Sequence, residues 1–450
     1  MKYITIEQAQ EPLNLWHAFA GEERVYWYNP VRKQTIFAAV RADAISVSSA
    51  EDKAEQVDAF AKEFPYTWLS ETFFPITKTS LWDGMGNEVV AFSYYYIKEG
   101  EIHHWLIDES QGIGTASELD RRIDTADNNT AYDKETHDNA ILDKAIHDKV
   151  TYVDNSVSQH NSHFDATQIA TNDKLNSESH QYIMSDEDYG DWCTFFEAIQ
   201  DTIQSGKAIK IVASRAVALQ SEKAFNIVDM LRRLQTYNVN SFVFAYAKGD
   251  AVFIGATPEI LIQKAGAQML SYALAGTIKK RGAVDEAAGQ ALLGDAKNCH
   301  EHGIVVDMIK STMSQLSPQV MAEPMGLMEL KNLFHLRTII RADGGDSHIL
   351  NWVHALHPTP AMGGQPREVA LDLLAKKEPH ERGLYAAPLG FLETNSSGVV
   401  DGTIVVGIRS ALVKGHTAYA YAGCGIVGDS DCVSEYEETK TKLGTILEVL

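Results

Sequence analysis

From about Gly112 to His180 the chain loses the apolar density that a buried core requires. Runs such as TADNNTAYDKETHDNAILDKAIHDKV set single apolar residues among Asp, Asn, Thr, His and Lys. A stretch of this kind gains too little from burial to offset the entropy of ordering it. Residues 111–182 therefore read as a polar insertion or linker, partly helical, and the fold has to be built from the apolar-rich parts on either side. Those parts are 1–110, an N-terminal portion of sheet, and 183–450, where the chemistry is expected. Two His-Asp pairs inside the segment, His137-Asp138 and His147-Asp148, resemble metal ligands. Their ten-residue spacing places them on neither one turn nor one helix face, so a solvated charged surface is the favoured reading.

The N-terminal part alternates like strands. Arg24 to Tyr28 and Gln34 to Val40 flank the turn-like NPVRK, and Val89 to Ile97 is rich in aromatic and β-branched residues. Beyond Ser185, strand-like and helical runs alternate, which suits an α+β architecture with a large antiparallel component. Helices are expected over Asp186 to Gln204 and Glu222 to Gln235. The strand KAIKIVASRAVAL lies between them, and SFVFAYAKG and AVFIGATPEILI follow. A long helix is expected from near His300, with Ile304, Val305, Met308, Ile309, Thr312 and Leu316 on its apolar face.

A net charge of −22 opposes binding to nucleic acid or to an anionic membrane, because phosphate recognition needs clustered Lys and Arg. No run approaches the roughly 18 apolar residues of a membrane span, and the N-terminus lacks the apolar segment of a signal peptide, so a cytoplasmic location is expected. Four scattered cysteines suggest reduced thiols rather than a disulfide framework or a metal cluster. An acidic protein can still bind a small anion where a few cations and a divalent metal converge.

Several segments can carry chemistry. In KIVASR the alternation puts Lys210, Val212 and Ser214 on one face and Ile211, Ala213 and Arg215 on the other. Viewed alone, Lys210 is an edge-strand lysine guarding against aggregation, or else a buried one whose amine is partly neutral through desolvation. GATPE reads as a turn over Gly255 to Pro258, after which Glu259 opens the apolar run EILI. Glu259 is then either a surface glutamate or a desolvated carboxyl that stays protonated, as a general acid must. In HEHGIVVDMIK, His300, Glu301 and His302 occupy the expected first helical turn. Adjacent histidines cannot both face a zinc ion, whereas Glu301 is a hard ligand suited to magnesium. The last helix, SEYEETKTKLGTILEVL, offers a capping box of Ser434 and Glu437, with Leu443, Ile446, Leu447 and Leu450 as its apolar stripe. Glu435, Glu438 and Lys442 share one of its faces, as solvated ion pairs or as a site. His357 precedes a Pro and Gly turn in ALHPTPAMGGQP, and YAGCGIVGDSD runs a strand into a glycine-lined loop. Arg409, in a strand expected beside that loop, can receive a carboxylate in bidentate fashion.

Taken together, KIVASR, GATPE, LAGT, KNCHEHGIVVD, LHPTPAMGG, ERGLYAAPLGF, GIRSAL, AGCGIV and EYEETKTK resemble the ordered motif series of the chorismate-utilising enzymes. This family holds anthranilate synthase component I, aminodeoxychorismate synthase, isochorismate synthase and salicylate synthase. The resemblance covers about 205–450 and is strongest to isochorismate synthase. It implies one large two-lobed antiparallel β-sandwich with outer helices, like that of anthranilate synthase component I. Aminodeoxychorismate synthases carry a nucleophilic lysine where this chain has Ala275, and anthranilate synthases lack the lysine that stands here as Lys210. Water is thus the implied nucleophile, and YAAPLGF resembles the isochorismate synthase form of its motif more than the salicylate synthase form.

What the resemblance implies is a magnesium-dependent (Mg2+) isochorismate synthase, a hydroxymutase supplying menaquinone or siderophore synthesis. Lys210 is the implied base toward water at carbon 2, and Glu259 the acid toward the hydroxyl leaving carbon 4. Glu301 and Glu438 are the implied metal ligands, with Glu435 acting through water. Arg409, Lys442 and the backbone near Gly423 and Gly425 are implied to bind the pyruvyl carboxylate. Gly276 and Thr277 line the pocket near the ring carboxylate, and His357 shapes the ring site. Chorismate is the expected partner, and no glutamine amidotransferase subunit is expected. The alternatives are salicylate synthase and, further off, anthranilate synthase component I. Two departures from the family pattern, Cys424 for alanine and Ala387 for glycine, bear on pocket volume.

Overall fold

The computed structural model describes residues 3–47, 53–76, 80–108, 118–123, 182–185, 189–282 and 284–450. The two His-Asp pairs of the polar segment lie outside the described residues. Among those described, twenty strands join into one hydrogen-bonded network that folds as two wings. One wing runs Ile102–Asp108, Glu88–Glu99, Gln34–Ser46, Arg24–Asn29, Phe242–Lys248, Ala251–Thr257, Ser410–Lys414, Thr417–Val427 and Lys210–Ser221, every pair antiparallel. The other runs Tyr66–Ser70, Pro388–Thr394, Val400–Val406, Ile260–Ala265, Gln268–Lys279 and Leu333–Asp343, again antiparallel throughout. They meet where Trp68 to Ser70 pair with Val90 to Glu88.

The strand Gln34–Ser46 shows why the sequence builds such a layer. Ile36 and Ala38 enter the core between the wings, while Phe37 and Ala39 enter the core beneath the outer helices. Period-two alternation with both faces apolar suits a strand covered on both sides. Between the wings, the Trp27 ring lies 5.8 Å from Trp68 and 6.3 Å from Phe391, and Trp68 lies 5.9 Å from Tyr246. Helices Pro12–Ala18 and Ile227–Tyr237 cover the outer face of the first wing, and Ala296–Leu316 and Ile349–Leu356 that of the second. This is the expected α+β sandwich. No helix among the described residues is long and apolar enough to cross a membrane.

Several local expectations are corrected. The second expected helix starts at Ile227 rather than Glu222, because Asn226 accepts from the Val228 and Asp229 amides and caps it. The long helix starts at Ala296 under an Asp295 cap, so His300, Glu301 and His302 fall on its second turn. Its buried face is His302, Val305, Ile309 and Met313, while Leu316 is exposed. The last helix begins at Cys432. Asp431, not Ser434, caps it, accepting from both the amide and the hydroxyl of Ser434, so the expected capping box does not form. Gly255 to Thr257 belong to a strand, and the turn is made by Pro258 and Glu259 alone. Arg409 stands just ahead of its strand, at a φ of 53°.

Candidate active site

One cleft gathers the C-terminal motifs. Lys210 begins its strand with Gln365 paired on one side and Val427 on the other, so it is not an edge lysine. Ile211 and Ala213 pack into the core behind the strand, and Lys210 and Val212 face the cleft. The alternation read from KIVASR is thus the orientation that the fold uses. Lys210 is 1% exposed, and its Nζ donates to Glu301 Oε1 at 2.7 Å.

Glu259 sits at the turn ahead of Ile260–Ala265 and is 2% exposed. Burial pushes its carboxyl up to about 8, although Lys210, Arg409 and Lys442 pull the other way. At neutral pH it therefore holds its proton, because desolvation of the anion outweighs the three cations. Glu301 faces the same opposing forces and has the opposite outcome. Burial pushes it up, but the charge and hydrogen bond of Lys210, with Lys442 and Lys297, hold it below the ordinary carboxylate value. Two cleft-lining carboxyls are thereby driven apart in protonation.

Gly276 lies at a bulge in Gln268–Lys279, with φ at 79°. A Cβ there would meet the Asn298 carbonyl oxygen at 3.2 Å, so glycine fits both the conformation and the close approach. Asn298 Oδ1 accepts from the Thr277 amide at 3.0 Å, and Thr277 Oγ1 lies 3.0 Å from His335 Nδ1. Arg409 donates through Nη2 to His335 Nε2 at 2.8 Å, which assigns the other ring proton to Nδ1. Its Nη1 is buried and has no hydrogen-bond partner among the described residues, so a guanidinium donor waits inside the cleft. Lys442 donates to the Gly423 carbonyl at 2.9 Å and contacts Glu438 at 2.6 Å. The pairing of Thr417–Val427 with Ser410–Lys414 ends at Tyr421, and the backbone from Ala422 to Gly425 lines the cleft. A Cβ at Gly425 would lie 2.5 Å from Lys210 Cε and 2.7 Å from Glu301 Oε1.

His357 is not among the cleft-lining residues. Its Nε2 donates to the Ala386 carbonyl at 2.9 Å, its ring meets Phe73 edge-on, and burial lowers it to about 3, so it is a neutral support behind the wall. Cys424 pairs with Ala213 and packs beside Ile211 and Ile426, which takes its side chain away from the cleft face. Ala387 is wholly buried and is not among the lining residues, whereas Ala386 is.

Glu301 and Glu438 both line the cleft, and Glu435 does not. Glu435 is 3% exposed, accepts from Ser430 Oγ at 2.7 Å and from Lys297 at 3.3 Å, and is raised by burial and by the charge of Glu438. Among the described residues no three His, Cys, Asp or Glu side chains meet as a metal cluster. Two hard carboxylates opening on a cleft do fit magnesium, which is commonly held by one or two carboxylates with water and ligand oxygens completing its shell. His302 turns away from the cleft, bonded to the Ala275 carbonyl and to Thr338 Oγ1.

Sequence reasoning missed His335, Arg382 and Tyr385, all lining the cleft. In LFHLRTII, His335 is a polar residue within an apolar strand, the same signal that singled out Lys210. Arg382 is tied to Glu378 at 2.7 Å and donates to the Val212 and Met362 carbonyls, so it braces the cleft wall from behind.

Residues 130–450 match the family described as chorismate binding enzyme. The salicylate biosynthesis isochorismate synthase of Pseudomonas aeruginosa is 41% identical over 255 residues, 55% of this chain and 52% of that protein. Isochorismate synthase MenF of Bacillus subtilis is 39% identical over 269 residues, 58% and 56% respectively. The match thus spans about half the length of these curated relatives. The crystal structure described as a putative 2,3-dihydroxybenzoate-specific isochorismate synthase, DhbC from Bacillus anthracis, aligns with a TM-score of 0.72 over 98% of this chain and 99% of that one, at 21% identity. With the family matched across most of the sequence and its motifs converging on one cleft, this chain belongs to the chorismate binding enzyme family.

Proposed function

We propose that this protein is an isochorismate synthase, an isomerase that converts chorismate to isochorismate by adding water at ring carbon 2 and releasing the hydroxyl of carbon 4. The observation that carries this reading is the pairing of an amine and a protonated carboxylic acid in one cleft, Lys210 and Glu259. Lys210 is the base toward the attacking water, and Glu259 gives its proton to the departing hydroxyl while the double bonds shift. Arg409, with its buried free donor, receives the pyruvyl carboxylate, and Lys442 and the backbone at Gly423 and Gly425 complete that pocket. Gly276 and Thr277 meet the ring carboxylate, and His335 fixes Arg409 from behind.

Glu301 and Glu438 would hold magnesium, with Glu435 supporting it through water. When bound, the ion neutralises the charge of the ring carboxylate in an otherwise acidic protein. Ala275 stands where aminodeoxychorismate synthases carry their nucleophilic lysine, so capture of the ring by the protein is not part of this reading. Water as nucleophile requires no glutamine amidotransferase subunit, and the site acts in the cytoplasm on chorismate alone.

Incubating the protein with chorismate and magnesium tests the proposal. Isochorismate in equilibrium with chorismate, with no pyruvate, is the expected result. Salicylate with stoichiometric pyruvate assigns the alternative lyase activity, and product formed only when ammonia is supplied assigns an anthranilate synthase. A chelator should abolish turnover, and added magnesium should restore it.

A further inference from the structure

Behind the cleft, the helix Tyr189–Gln204 is fastened to the loop and turn that start the last helix. Gln200 donates to the Val427 and Ser430 carbonyls at 2.9 and 3.2 Å, and Trp192 Nε1 donates to the Cys432 carbonyl at 3.2 Å. Between these bonds, Cys193 and Cys432 bring their sulfurs to 3.1 Å although they are 239 positions apart in sequence. Both are free thiols and both are partly accessible. A disulfide needs its sulfurs at about 2.05 Å, so closing the bond asks for about 1 Å of movement at a junction already held on both sides. Cys432 opens the helix that carries Glu435, Glu438 and Lys442, so whatever clamps Cys432 clamps the first turn below the proposed metal site.

We propose that Cys193 and Cys432 are a thiol–disulfide modification site whose reversible oxidation fastens the start of this helix. The co-reactant is a small-molecule disulfide such as oxidised glutathione. One protein thiolate attacks it, forming a mixed disulfide and expelling a glutathione thiolate. The second protein thiolate then attacks the protein sulfur of that mixed disulfide and expels the other glutathione. Two protein thiols are oxidised, one glutathione disulfide is reduced to two thiols, and the two protons pass to the glutathione released. The arrangement does not depend on which reaction the cleft performs, so it stands or falls apart from the proposed function.

The test is to incubate the full chain with oxidised glutathione, quench with acid, and count thiols under denaturing conditions. The expected result is loss of two of the four thiols, a mass 2 Da lower, and one cross-linked peptide joining Cys193 to Cys432, all reversed by dithiothreitol. Hydrogen exchange at 431–436 should slow about tenfold in the oxidised form, since opening this turn then strains a covalent bond. Cys193→Ser and, should it fold poorly, Cys193→Ala should keep the activity of the reduced protein and form no cross-link. Retention of all four thiols, glutathione adducts without a cross-link, a bond to Cys299 or Cys424, or unchanged exchange at 431–436 would each overturn the proposal.

Discussion

At the scale of single residues, the site depends on giving two glutamates opposite protonation. Glu259 is almost wholly buried in the cleft wall and keeps its proton up to about 8, whereas Glu301 meets Lys210 directly and loses it. A carboxyl raised by folding binds its proton more tightly in the folded than in the unfolded state. Its contribution to stability is therefore fully present below the ordinary carboxyl range and declines as pH rises through about 8. Urea unfolding of the ligand-free protein from pH 5 to 9 should show this loss, and Glu259→Gln, which cannot ionise, should flatten that part of the curve. The same variant should lower kcat by about 10²-fold or more, with kcat/KM of the parent falling above pH 8 as the acid deprotonates. Gly425→Ala would place a Cβ against Lys210 and Glu301 and push the pair aside. Turnover should fall by about 10-fold or more, the size expected of a misplaced reacting group, while the far-ultraviolet circular dichroism stays unchanged.

At the scale of elements, the last helix shows how a cap serves a site. Asp431 satisfies the amide of Ser434 and fixes where the helix begins, and Glu435 bonds back to Ser430 one residue ahead of the cap. Asp431→Ala should cost about 1 kcal/mol in chemical denaturation. It should also raise the magnesium concentration needed for half-maximal activity, because the first turn of the helix then frays beneath Glu435 and Glu438. Unchanged magnesium dependence alongside lost stability would separate the cap from the site. The strand carrying Lys210 obeys the same logic from the other side. Its outward residues are held in an apolar layer by Trp192, Phe195 and Tyr436, and this layer fixes the direction in which the lysine points.

At the scale of the whole molecule, the two wings share strands from both ends of the sequence. Arg24–Asn29 pairs with Phe242–Lys248, and Tyr66–Ser70 pairs with Pro388–Thr394. We therefore expect residues 183–450 expressed alone to expose those strand edges and to aggregate, even though they contain every proposed catalytic residue. Light scattering and gel filtration would decide this, and a monodisperse, folded fragment would contradict it. Trp68 is wholly buried and touches Trp27, Tyr246 and Phe391 across the sandwich. Trp68→Ala should cost about 3–5 kcal/mol in unfolding measurements, the range for deleting a large buried aromatic side chain.

Neighbouring residues alone fix the alternation that faces Lys210 and Val212 one way and Ile211 and Ala213 the other, and the shared helix face of Glu435, Glu438 and Lys442. Each follows from a local period, two residues for a strand or three and four for a helix, and local periods are written in neighbouring residues. Helix starts were less legible, because Ser434 and Asp431 are both good caps and only the path of the preceding loop chooses between them. Long-range packing is what puts Lys210 inside a sheet rather than at its edge, desolvates Glu259 enough to keep it protonated, braces Arg409 with His335 and stands His357 behind the wall. Those are properties of what surrounds a side chain. The surroundings come from strands hundreds of residues away, so no window along the chain contains them.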